Sequence, residues 1–153
     1  MRRSSFDQEN RQTHHTPGAL KEPLVRPRIL IVDHDDRARL AACHRLTQWG
    51  FDTVGEDNGL SALTLLAHTP PTHSFAGMLL EMDMPLLGGM AVLQEMKDRH
   101  PAIPVLVMAD ARHIGKLRDA VRMWAQEYLV KPLDTELLKL KCTYSFSSPI
   151  NRT

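Results

Sequence analysis

The feature that most constrains this chain is a strict alternation, five times over, of a short β-rich run and a stretch with helical periodicity. "RILIVD" (28–33) is β-branched and ends in an acid, as expected of a strand buried on both faces. Behind it Ala42, Cys43, Leu46 and Trp49 share a helical face, with Asp35 or Asp36 placed as the cap and Gly50 as the stop. "FDTVGE" is a second strand, and "NGLSALTLLAH" a helix with Ala62, Leu63 and Leu66 on one face, closed by Pro70 and Pro71. "SFAGMLLE" and "GMAVLQEMKDRH" form the third pair, the helix carrying Met90, Leu93 and Met96. "VLVMA" leads to a fourth helix, "HIGKLRDAVRMWA", with the stripe Ile114, Leu117, Val121 and Trp124. "EYLV" is the fifth strand, and "DTELLKLK" a fifth helix of about two turns, capped by Asp134. Strands joined through helices in this way lie parallel, and the helices cover both faces. The chain therefore reads as an α/β, doubly wound parallel sheet.

Composition bounds the rest. Residues 1–26 are polar, with Pro17, Gly18 and Pro23 and no periodicity, and read as a disordered arm. The folded domain spans 27–141, and 142–153 reads as an irregular tail too short to bind DNA. A chain of 153 residues, 42% hydrophobic and 24% charged, supports one ordinary core. Its net charge of +1 gives no field that would draw nucleic acid or an anionic membrane. No apolar run nears the roughly 18 residues of a membrane span, and none follows Arg2 and Arg3 to make a secretory signal. Cys43 and Cys142 stand far apart without a metal spacing, which fits a reducing cytoplasm.

In a parallel sheet, ligands sit beyond the carboxyl ends of the strands. That rule brings Asp33, Glu81 and Lys131 together, after strands one, three and five. Carboxylates facing an ammonium in a cleft suit a small hard cation and a phosphoryl group. A flavodoxin-type cofactor binder is disfavoured, because "DHDDRAR" lacks the glycine or hydroxyl donors of a phosphate cradle.

With "VDHDD", "LLEMDMP" and "YLVKP" in this order, the chain resembles the receiver domain of bacterial two-component response regulators, from about Arg28 to about Leu140. The resemblance implies a flavodoxin-like (βα)5 fold with strand order 2-1-3-4-5. It further implies a phosphoacceptor aspartate after strand three, two acids after strand one that bind Mg2+, a Ser/Thr switch after strand four and an aromatic switch in strand five. Carried across, Asp33 takes the first acid position and His34 stands where the second acid is usual. Glu81 takes the phosphoacceptor position, since Met84-Pro85 and Gly89 follow at the family's offsets. Asp83 would lend its backbone carbonyl to the metal, and Gly88 replaces a frequent aspartate. Ala109 takes the Ser/Thr position, Tyr128 fits the aromatic one, and Lys131-Pro132 matches in full, with a cis peptide bond expected between them.

Three departures alter the chemistry. Glutamate is one methylene longer than aspartate, and a misplacement on the order of 1 Å can cost about a hundredfold in rate. Imidazole at position 34 suits zinc or nickel better than magnesium, so the set Asp33, Glu81 and Asp83 should hold Mg2+ weakly if at all. Ala109 has no hydroxyl to pull on a phosphate. The expectation is a stand-alone, degenerate receiver, not an enzyme, in which Glu81 pairs with Lys131, Lys131 is held above its ordinary pKa and Glu81 below. The rival is an active phosphoryl acceptor using Glu81 or Asp83 with a divalent cation. Expected partners are a histidine kinase or another signalling protein, with self-association through helix four, strand five and helix five; nucleic acid and membrane are not expected.

Overall fold

A computed structural model of the chain describes residues 25–147. The polar arm up to residue 24, and the tail from residue 148, lie outside the described residues. Five strands, β1 (Arg28–Val32), β2 (Asp52–Glu56), β3 (Gly77–Glu81), β4 (Val105–Asp110) and β5 (Glu127–Lys131), form one parallel sheet in the order β2-β1-β3-β4-β5. Between and after them run α1 (Asp36–Gln48), α2 (Gly59–His68), α3 (Gly89–Arg99), α4 (Ile114–Met123) and α5 (Thr135–Phe146). This is the flavodoxin-like (βα)5 arrangement.

The period of two along each strand sorts the core into two layers. Leu30, Val32, Met78, Leu80 and Val107 face α2, α3 and α4, meeting Leu66, Leu93, Met96 and Leu117. Ile29, Ile31, Leu79, Leu106 and Met108 face α1 and α5, meeting Ala42, Leu46, Leu138, Cys142 and Phe146. β3, at the centre, is buried along its whole length, Glu81 included. Helix starts follow the short polar side chains of the sequence. Asp35, Asn58 and Asp134 each accept a hydrogen bond from a first-turn N–H, at Ala38, Ser61 and Leu137. Gly50, with φ +95°, stops α1.

Two stripes differ from expectation. In α4, which follows a short 3-10 turn (Ala111–His113), the buried residues are Leu117 and Ala120, while Ile114 and Val121 stay exposed. More consequentially, α5 does not end at Lys141. It runs to Phe146, so Cys142–Phe146 is helix, with Cys142, Ser145 and Phe146 buried, where an irregular tail was expected. Leu138, Cys142 and Phe146 recur every four residues and carry the apolar stripe onward. Phe146 lies over the start of β3 because Gly77 leaves room for it: a Cβ there would fall 2.1 Å from the ring. Burial pushes the Cys142 thiol up to about 12.

Candidate functional site

The carboxyl ends of β1, β3 and β5 bring Asp33, Glu81 and Lys131 together as the spacing predicts. Asp33 follows β1 and is anchored by its own N–H to Glu56 O, at 3.1 Å. Only 1% of Asp33 and 3% of Glu81 is exposed. The Lys131 ammonium donates to Asp33 Oδ2 at 2.6 Å and forms an ion pair with Glu81 Oε2. The remaining oxygens accept backbone N–H groups: Asp33 Oδ1 from Asp35 at 3.0 Å, and Glu81 Oε1 from Asp83 at 3.1 Å. Each of the four carboxylate oxygens therefore already faces a donor.

Position on a strand end explains these contacts. β3 carries Glu81 in register with Met108 of β4, and the Met82 N–H bonds to Met108 O, so the β3–α3 loop turns only beyond Glu81. Gly89 allows the close return of α3, because a Cβ there would lie 2.5 Å from Met82 Cα and 2.7 Å from Glu81 O. The Lys131-Pro132 bond is cis, as the resemblance implies.

Electrostatically, two buried anions share one cation. Burial pulls the Lys131 ammonium down, but its hydrogen bonds to Asp33 and Glu81 together outweigh that and hold it above the usual lysine range. For Glu81 the expected direction is reversed. Burial raises its pKa, and the Lys131 contact and the Asp83 N–H only partly offset this. Burial is the larger cause; Asp33, which also draws on the single ammonium, adds a smaller upward push.

The other predicted residues fall around this pair rather than in it. His34 is turned outward, half-exposed, with Nδ1 3.9 Å from Asp33 Oδ1. Asp35 caps α1 and does not replace a pocket acid. Asp83, whose backbone carbonyl the resemblance assigns to the metal, turns its carboxylate out to Lys116 Nζ at 3.1 Å and to His113 Nδ1 at 3.4 Å. The Lys116 hydrogen bond holds Asp83 below the usual carboxylate range. Asp110, at the end of β4, accepts from Arg112 and is likewise lowered. Ala109 is fully buried, beside Val130 in register. Tyr128 is exposed on β5, with Lys141 Nζ 4.8 Å from its ring centroid.

The rim residues His113, Lys116 and Arg112 were not foreseen. Their one signal was a run of basic residues opening the fourth helix, and its partner Asp83 lies 33 positions earlier. Among the described residues, no group of three or more His, Cys, Asp or Glu side chains is arranged to hold a metal ion. The donor set does not fit Mg2+, a hard cation held through carboxylates and waters, because the Lys131 ammonium already sits against both pocket carboxylates and His34 supplies no second acid after β1. No helix among the described residues is long and apolar enough to cross a membrane.

Comparison with known proteins agrees with this fold. The family model for the response regulator receiver domain matches residues 29–143. The chain is 33% identical over 113 residues to the regulatory protein AtoC of Escherichia coli, covering 74% of this chain and 24% of that protein. It is 30% identical over 131 residues to the transcriptional regulatory protein ZraR of Klebsiella oxytoca, covering 82% of this chain and 29% of that one. The chain thus spans about a quarter of the length of these relatives. Among solved structures it is similar to the receiver domain of NtrX from Brucella abortus, at a TM-score of 0.69 and 26% identity, over 77% of this chain and 97% of that one.

Proposed function

The chain belongs to the response regulator receiver domain family, and from that premise we propose that it is a receiver whose phosphorylation site is closed, an interaction module of two-component signalling that works without a phosphoryl group on Glu81. The observation that carries this reading is the Lys131 ammonium seated against two buried carboxylates, Asp33 and Glu81. A phosphoryl group arriving at Glu81 would have to displace that ammonium from one acid while the nucleophile stands a methylene too far out. The position that would respond to it, Ala109, is buried and has no hydroxyl. Receiver domains commonly bind Mg2+ at the phosphorylation site; here the cation of the pocket is the protein's own.

Such a domain acts through contacts rather than catalysis. Its partners are a histidine kinase or another signalling protein, and the surface offered is α4, β5 and α5, where Ile114, Val121, Tyr128, Leu137, Leu140 and Tyr144 are exposed. A second copy of the chain could use the same surface. Two free cysteines, one of them buried, fit a cytoplasmic setting.

One observation favours the rival reading, an active acceptor: Asp83 lies beside the pocket and is half-exposed, although Lys116 and His113 hold its carboxylate. Incubation with acetyl phosphate and Mg2+, read by intact mass, separates the two. The mass should be unchanged; a stoichiometric gain of one phosphoryl group on Glu81 or Asp83 would overturn the closed-site reading. Glu81→Asp alone should label only feebly, and adding His34→Asp should raise Mg2+ affinity and labelling together, since ligand charge largely sets affinity for a hard cation.

A further inference from the structure

We infer that the divalent cation of this pocket has been replaced from within: the Lys131 ammonium holds the place between Asp33 and Glu81, so that the protein takes up no Mg2+ or Mn2+ there, and removing the ammonium opens a cation site. The inference rests on the closed-site reading but concerns cation binding alone and needs no phosphodonor.

The warrant is the balance of charge in the pocket. Asp33 Oδ2 and Glu81 Oε2 both face the ammonium, and the two other oxygens face the N–H groups of Asp35 and Asp83. A divalent ion could enter only by expelling Lys131 or by sitting beside it, and two cations a few ångströms apart repel strongly where little water screens them. Nor is there a third anion to compensate. His34 is neutral or cationic and points outward, while the Asp83 carboxylate is engaged by Lys116 and His113. With the ammonium gone, the balance reverses. Two carboxylates that are 1% and 3% exposed would then face each other without a counter-ion, a state costly enough to recruit one from solution.

The test is a titration with Mn2+, read as loss of the free-ion electron paramagnetic resonance signal, on the parent, on Lys131→Met and on Lys131→Met with Glu81→Gln. The parent should show no saturable site in the submillimolar range. Lys131→Met should bind one Mn2+ roughly tenfold tighter or more, and Mn2+ should raise its thermal midpoint but not that of the parent. Adding Glu81→Gln should remove the gain. One saturable submillimolar Mn2+ site in the parent, lost in Asp33→Asn, would overturn the inference, as would a Lys131→Met protein that binds no tighter than the parent. Should Lys131→Met fail to fold, the parent titration decides alone: saturation overturns, a flat titration supports. Labelling of the parent by acetyl phosphate alongside a flat Mn2+ titration would sink the closed-site reading and leave this inference standing.

Discussion

Two ionic clusters lie within a few residues of each other at the top of the sheet, and they behave oppositely. In the buried one, Asp33, Glu81 and Lys131 converge from three strand ends, and both acids are almost wholly out of water. In the rim cluster, Asp83 on the β3–α3 loop faces Asp110, Arg112, His113 and Lys116 around the β4–α4 junction, with the Lys116–Asp83 pair about half-exposed at both ends. Asp83 is held low by its cation, whereas Glu81 is held high by burial despite its cation. Charge type does not separate the clusters. Access to water does, and it decides whether an acid beside a lysine is at ease or under tension.

The comparison breaks most easily at the cation. Lys131→Met should cost about 3 kcal/mol, the lower end for uncovering a buried charge, because the lysine side chain is itself 20% exposed. Urea unfolding at neutral pH should give nearly the same loss in low and high salt. A loss under about 1 kcal/mol that vanishes in high salt would put the strand-end cluster in the same class as the rim.

A smaller effect follows from pH, and here the signs of the two clusters oppose. Glu81 has a folded pKa above its unfolded value of about 4.3, so between the two values the native state binds more protons than the unfolded state. Its favourable contribution is present below the unfolded value and is lost as pH rises through the folded one. Asp83, lowered, contributes above its unfolded value and loses that contribution as pH falls through the folded one. Unfolding free energies of the parent and of Glu81→Gln, compared from pH 4 to 8, should show the parent losing ground to the variant as pH rises. A parent that gains ground instead would return Glu81 to ordinary carboxylate behaviour. Lys131, raised, keeps its contribution below about 10.4 and loses it only as pH rises through its folded pKa.

The smallest effect belongs to the rim. Lys116→Met should change stability by no more than about 0.5 kcal/mol at low salt and by nothing measurable near 1 M salt. A loss comparable to that of Lys131→Met would mean that the rim pair is as dry as the strand-end pair.

Most of the architecture was legible because its signals are local. Five β-rich runs, the caps at Asp35 and Asp134, and the stop at Gly50 can each be read within a few residues. The meeting of Asp33, Glu81 and Lys131 was legible as well, since parallel topology places all strand ends on one side. What escaped depends on packing. The end of α5 is hidden because "CTYSF" mixes polar residues with the two that continue the stripe, Cys142 and Phe146, and the space for Phe146 is made by Gly77, far away in sequence. The outward turn of Asp83 could not be read for the same reason, since Lys116 reaches it only across the folded loops. The direction of the Glu81 shift needed the depth of its burial and the fact that Asp33 shares its cation; neighbour types alone suggested the opposite.

The proposed closed site rests on one ammonium balancing two buried acids, and a double-mutant cycle between Lys131→Met and Glu81→Gln reads that balance directly. With Lys131 removed, neutralising Glu81 should leave Asp33 as the lone buried anion and end the repulsion between the two. Glu81→Gln should therefore restore about 1–2 kcal/mol to Lys131→Met while changing the parent by less than about 1 kcal/mol, a coupling within the range for contacting residues. Additive losses, with Glu81→Gln no better tolerated in Lys131→Met than in the parent, would contradict it: Asp33, Glu81 and Lys131 would then not form a single electrostatic unit.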